Sequence, residues 1–572
     1  MTSTRLILSL ALFHAVCGSA LAAPRSSASP ADRPDHARCA TWQLRDAVGA
    51  ARWAAPGLRT LPCDQTPVGP PPNPQVGDSW NWYLWRLNGF PTADLRSCTV
   101  RGMGAHCYVV VEDSQWNVHM NQAQVDSVVD AFENHSLGHW PDQGIWQLDT
   151  TNFGLPPDNL DQDPRVYFVY YDFDIAADGF FWAFDQECDD VAQFHSNETD
   201  VVYLNDSDFD PAGSYMTAVL AHEFEHLIQY NYDQDEAGWV DEGIAEVAMW
   251  LYGHPDTISQ FNTNPDHSLT TFNGNWYDYI KSYLFNLYFY ERYGGQAAMW
   301  NLVHQPLNGI QGYDAVLDQL GYTANFPDVF SDWVVANYLD DTTIGDGRFG
   351  YAGETLPPFN PFVTYTTYPV GPNSGAVQHW AADYARYLNG SRLHMTFDGA
   401  DLNSFKVRAL LLDPVNPTEV VDMTLNGTQT GTLPLPQLGS THDECVMVYA
   451  SASDAGGTGY TYGAGTGVVD APSIAAASPA ALALDVLGSV SARPTFALAV
   501  PAHAAGAVTR LEIFDVAGRL VRRLLDSPGI TGRREVTWTG LDEQGTLAAP
   551  GTYFVRLSAG EERATSRVVL RR

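Results

Sequence analysis

His222, Glu223 and His226 stand in the stretch AHEFEHLIQY, and Glu242 and Glu246 follow in GWVDEGIAE. Residues four apart on a helix project from one face, so the two imidazoles can share one tetrahedral ion. Glu223, next to the first histidine, is placed to take a proton from water held by that ion. Neutral imidazole ligands leave zinc enough positive charge to bring the pKa of such a water toward neutrality. The glutamate then makes it a nucleophile against a carbonyl. Chance produces an HExxH in about one chain in a hundred of this length and composition. The context is helical: SYMTAVLAHEFEHLIQY carries apolar residues at 216, 219, 220, 224, 227 and 228, with Ser214 as the expected N-cap.

A catalytic zinc keeps three protein ligands and one open position, so one ligand must come from elsewhere. The segment from Trp239 reads as a second helix on which Glu242 and Glu246 share a face. Glu242 is the expected third ligand and Glu246 the carboxylate that orients a ligand histidine through its other ring nitrogen, with the reverse assignment as the alternative. Asp241 is expected to face away. Glu225 and Glu236 read as solvated helix surface.

Strands are expected at CYVVVED (107–113), RVYFVYYDF (165–173), GFFWAF (179–184) and DVVYLN (200–205), with an amphipathic helix at 121–135. Sheet first and the motif helices after describes an α+β domain, expected over 76–350. Short strands separated by Asn, Gly and Asp turns follow at 360–466 and read as a β-sandwich. A linker at 467–486 then leads to a small all-β module at 487–572. Residues 23–75, Pro-, Ala- and Arg-rich, read as a pro-segment or linker with little core, and order is expected from about Trp80.

The first 22 residues carry an arginine, an apolar run and Ala20-Leu21-Ala22, a signal peptide that predicts export and cleavage after Ala22. No later apolar run is long enough to span a membrane. A formal charge of -37, from 30 Lys and Arg against 67 Asp and Glu, disfavours nucleic acid and anionic lipid as partners. Removal of the leader leaves Cys39, Cys63, Cys98, Cys107, Cys188 and Cys445, an even count in an oxidising compartment. Cys98 with Cys107 across a hairpin, and Cys39 with Cys63, are the expected pairs; Cys188 and Cys445 are left open. The alternative for Cys63 is to cap the metal in a latent form, as an inhibitory thiolate would.

HEFEH followed by Glu242 in WVDEGIAE resembles the gluzincin metallopeptidases. LTTF, SYLFNLYFYERYGG and FSDWVVANYL resemble most the hyicolysin-like secreted peptidases. The resemblance spans about residues 100–345. DEG stands where NEG is commoner, and Glu246 where aspartate is frequent. The resemblance implies a zincin fold with His222, His226 and Glu242 on zinc and Glu223 as base. It also implies a substrate-binding edge strand two strands before the motif helix, here GFFWAF. That strand lacks the glutamate with which the clan's aminopeptidases hold a free amine, which points to an endopeptidase. Tyr279 in YIKS resembles the clan's oxyanion-stabilising tyrosine, with Tyr283 and His254 as alternatives.

LNDSDFDPAG offers Asn205, Asp206, Asp208 and Asp210 as calcium ligands, although a turn before the motif helix is the preferred reading. TRLEIFDVAGRLVRRLL with GTYFVRL resembles the Ig-like domain of FlgD-like proteins and the C-terminal sorting domains of secreted bacterial enzymes. That implies a spacer or a contact with the cell surface or secretion machinery. The chain is therefore expected to be multidomain, an α+β zincin catalytic domain followed by all-β sandwich domains. The expected activity is that of a secreted or surface-associated zinc endopeptidase acting on proteins or peptides. The alternative is a surface adhesin or carbohydrate-binding protein with an inert zincin domain.

Overall fold

The computed structural model describes residues 37–48, 70–158, 160–189, 194–258 and 261–466, and most of 482–571. The expected leader at 1–22, Cys63, and most of the linker lie outside the described residues. The chain divides into two compact units, Met1–Phe261 with Leu269–Gly309, and Asn262–Ser268 with Ile310–Arg572. The expected boundary near 350 falls inside the second.

The first unit is built on a seven-stranded mixed sheet. Its strands are β1 (Ala37–Cys39), β2 (Ser79–Arg86), β3 (Thr92–Met103), β4 (Cys107–Glu112), β5 (Val166–Tyr171), β6 (Ala177–Phe181) and β7 (Val201–Asn205), in the order β1-β6-β7-β5-β4-β3-β2. VYVVV-type runs such as β4 and β5 are buried at every residue, as strands covered on both faces must be. The motif helix α4 (Ser214–Tyr232) packs on β6 and β7. Helix α1 (Thr41–Val48) follows β1, and α2 (Gln122–Glu133) and α3 (Ile145–Asn152) lie between β4 and β5 in sequence. Rings of Phe132 and Trp146 cover Phe224 of α4 at 5.2 and 5.8 Å. Ser214 is the first residue of α4 and not its cap; Gly213 occupies the cap position without a side-chain bond.

Helix α5 (Gly238–Tyr252) packs against α4 on one side and α6 (Trp276–Arg292) on the other. Every residue of α5 is buried. A Cβ at Gly243 would lie 2.8 Å from the Ser282 carbonyl oxygen and would also meet the Asn286 amide. The two helices therefore cross at backbone contact, which holds Glu242 at its depth. Gly243→Ala gains about 1 kcal/mol of helix propensity, but overpacking against backbone costs about 1–3 kcal/mol. A net loss of stability is expected, read as a lower denaturant midpoint.

Cysteine pairing differs from expectation. Cys39, Cys98, Cys107 and Cys445 are free, buried thiols, and Cys188 is disulfide-bonded. The antiparallel register of β3 and β4 places Cys98 opposite Glu112, five residues along the strand from Cys107. At roughly 3.3 Å per residue that separation exceeds the roughly 7 Å limit between bridged Cα atoms.

In the second unit, helices Ile310–Gln319 and Phe326–Leu339 accompany two antiparallel-rich sheets of five and four strands spanning 363–466. Tyr384 Oη donates to the Val334 carbonyl at 2.6 Å, and Arg408 pairs with Asp332 at 2.6 Å, so the second of these helices is joined to the sandwich. Residues from Ala483 onward form sheets of three and five strands around Trp538, Phe496, Leu511 and Val555. Asp515 accepts from the Ala517 and Arg519 amides and Gly518 adopts φ +77°, so DVAGR is the turn between strands Val508–Phe514 and Leu520–Pro528. Among the described residues no helix is long and apolar enough to cross a membrane.

Candidate functional site

The i, i+4 spacing brings His222 and His226 to one side of α4, their Nε2 atoms 3.1 Å apart. Glu242 Oε2, from α5, lies 3.3 Å from His222 Nε2 and 3.6 Å from His226 Nε2. All three side chains are buried. Bonds of about 2.0–2.1 Å meeting at tetrahedral angles separate ligand atoms by about 3.3 Å. The triangle thus has the dimensions of one face of a zinc tetrahedron.

His226 Nδ1 lies 2.9 Å from Asp241 Oδ1, and a proton held on Nδ1 by that carboxylate would leave Nε2 to face the cluster. Asp241, expected to face away, is the carboxylate that contacts His226 Nδ1. It sits one residue before Glu242 on α5, which packs against α4, and so reaches the ring nitrogen of His226 that faces away from Glu242. Glu246 Oε1 approaches His222 Nδ1 at 3.5 Å, within ion-pair range but long for a hydrogen bond.

Glu223 is fully buried; its Oε1 has no hydrogen-bond partner, while Oε2 accepts from Thr41 Oγ1 at 3.1 Å. Burial pushes its carboxyl up, partly countered by His222 and His226. Burial acts on Glu242 in the same sense, yet His226 and His222 outweigh it and hold that carboxyl at about 2. A Cβ at Gly179 on β6 would lie 2.7 Å from Glu223 Cγ. Only glycine lets the strand and Glu223 come this close. Glu223, Glu242 and Asp241 gather around two imidazoles, a deficit of positive charge that a divalent cation would meet.

A fourth group is present that sequence reasoning assigned elsewhere. Cys39 Sγ lies 3.5 Å from His226 Nε2 and 3.6 Å from Glu223 Oε2, and with His222, His226 and Glu242 it forms a buried set whose ligand atoms all lie within 4.8 Å of one another. Tyr279, 3% exposed near the start of α6, donates its hydroxyl to the Cys39 carbonyl at 3.4 Å and so stands at the site. Tyr283 is buried one turn further along α6, and His254 meets the Tyr215 ring edge-on at 6.0 Å.

Glu225 and Glu236 are not solvated. Glu225 is fully buried because α4 has no solvent face over this turn, and burial drives its carboxyl well above the usual range. Glu236 is 1% exposed: its Oε1 accepts from the Ala237 and Gly309 amides, closing the α4–α5 connection onto the 308–309 loop. At 205–210 the oxygens turn to separate partners, Asn205 Oδ1 to Ser207, Asp206 Oδ1 to His119, and Asp210 Oδ1 to Gln124 and Ala212. The groups of possible metal ligands among the described residues do not include them.

Residues 488–562 match the FlgD Ig-like domain. The FlgD Ig-like match coincides with the two sheets around Trp538. No curated protein matches the chain. Among solved structures, similarity is to a biofilm associated protein BSP domain (8% identity, 35% of this chain and 52% of that one, TM-score 0.11). The extracellular region of zebrafish Gpr126/Adgrg6 gives 12%, 36%, 30% and 0.13, and the chicken CNTN1 FN1-FN3 domains give 11%, 38%, 67% and 0.12. The chain spans about half or less of the first two of these proteins.

Proposed function

We propose that the first unit is a zinc metallopeptidase of gluzincin type, with His222, His226 and Glu242 as metal ligands and Glu223 as general base. The observation that carries this reading is the Nε2, Nε2, Oε2 triangle of 3.1, 3.3 and 3.6 Å with Glu223 beside it. Zinc held there would supply the positive charge that acidifies water and polarises a peptide carbonyl.

The chain's own residues account for the rest. Asp241 fixes the His226 tautomer, Glu223 takes the proton from the attacking water and delivers it to the leaving amine, and Tyr279 donates to the carbonyl oxygen as charge develops on it. Burial of Glu223 raises its basicity, which suits a group that must accept and then release a proton. β6 lies next to the site, with the side on which an extended peptide would pair taken by β1, so strand-like chain already lies along that strand, which supports proteins or peptides as substrates. Export and, through the FlgD Ig-like match, association with a cell surface or secretion machinery complete the reading.

The experiment is metal analysis of the purified chain together with casein hydrolysis. About one zinc per chain, with proteolysis abolished by a chelator and restored by zinc, is expected. A chain that takes up no metal would defeat the reading.

A further inference from the structure

Residues 37–45 touch every part assigned to catalysis. β1 pairs in parallel with β6, with Ala37 opposite Ala177 and Cys39 opposite Gly179, and the Ala40 amide donates to the Gly179 carbonyl at 2.9 Å. Without β1, β6 would be the edge of the sheet. Thr41 Oγ1 donates to Glu223 Oε2 at 3.1 Å and accepts from the Phe181 amide at 2.8 Å, so it engages the base and the strand together. Tyr279 Oη is spent on the Cys39 carbonyl. Arg45 donates to Asp241 Oδ2 at 3.2 Å, the carboxylate that orients His226, and also reaches the Glu236 carbonyl. Trp42 lies edge-on to Phe272 at 5.2 Å and packs so closely on Gly238 that a Cβ there would strike its ring.

The thiol completes the geometry. A sulfur ligand at about 2.3 Å stands about 3.5 Å from a nitrogen ligand of the same tetrahedral ion. Cys39 Sγ lies 3.5 Å from His226 Nε2. The thiol is free and fully buried. A catalytic zinc site needs its fourth position open, whereas four protein ligands make a closed one.

We propose that Cys39 is the fourth metal ligand of the site and that residues 37–45 are a built-in latch which keeps it closed. The proposal rests on the metal site described above. Opening would be a ligand exchange: water would take the position that Sγ gives up, and Sγ, keeping the electron pair, would take a proton from solvent as the segment withdraws from β6. Glu223, Tyr279 and the β6 amides are freed in the same movement. A hydroxyl or carboxylate at 39 would not serve as well, because zinc holds thiolate more tightly and releases it only when the segment as a whole is displaced.

The full-length chain loaded with cobalt in place of zinc tests this. One cobalt per chain with a thiolate-to-cobalt charge-transfer absorption is expected in the wild type, and the absorption should vanish in Cys39→Ser at unchanged cobalt content. Trp42→Ala keeps the thiol and loosens the segment. It should weaken the absorption, speed alkylation of Cys39 by iodoacetamide at least tenfold, and raise peptide hydrolysis by the full-length chain. One cobalt per chain without the thiolate absorption overturns the latch while leaving the metal site standing. Absence of bound cobalt overturns both.

Discussion

Glu223→Gln is expected to lower peptide hydrolysis by about 10²–10⁴-fold while zinc stays at about one per chain. Glutamine keeps the shape that fits against Gly179, where 2.7 Å would separate Glu223 Cγ from any added Cβ, so the strand and helix need not move. It also still accepts from Thr41 through its amide oxygen. What it cannot do is take a proton from water. The comparison belongs in a Trp42→Ala background, where the segment is loosened and masks the difference less. Metal content is read by atomic emission and hydrolysis with a quenched-fluorescent peptide. An unchanged rate would remove Glu223 from the mechanism.

The second large effect separates the acids of α5. Glu242→Ala removes an atom 3.3 and 3.6 Å from the two histidine nitrogens and should weaken zinc binding by well over about 100-fold. Asp241→Asn leaves the ligand set intact but loses the carboxylate on His226 Nδ1, and groups of that kind are worth about 10–100-fold. Glu246→Ala should fall at or below the lower end, because its contact with His222 Nδ1 is 3.5 Å. Competition against a fluorescent chelator measures all three. Equal losses in the three variants would undo the assignment of Glu242 as ligand. Asp241→Asn also loosens Arg45, so its cobalt derivative should show a weaker thiolate absorption as well.

The local parts of the site were legible because they obey short-range rules. A helix fixes i, i+4 geometry whatever surrounds it, so His222 with His226 and Glu242 with Glu246 could be placed on common faces from spacing alone. Alternation and apolar runs located β4, β5, β6 and β7 within a few residues. Solvent exposure was another matter. Glu225 and Glu236 look like surface acids in a list of residues, yet α3 and α5 enclose the helix that carries Glu225 and the 308–309 loop closes over Glu236 in the connection that follows it. Periodicity reports which face of a helix is apolar, not how many neighbours will cover the other one.

Sequence by itself determined which histidines and glutamates share a helix face, the strands of the sheet beside them and the C-terminal Ig-like module, since each is encoded within one or two neighbouring elements. Only the tertiary structure decided what each donor meets. The β3–β4 register separated Cys98 from Cys107, and the crossing of α4 with α5 brought Asp241 to His226. Pairing of β1 with β6 set the Cys39 thiol, 184 positions before Glu223, among the histidines. Those outcomes depend on which distant segments pack together. No spacing rule reaches that far, because the free energy that selects them comes from burial and backbone pairing summed over the whole unit.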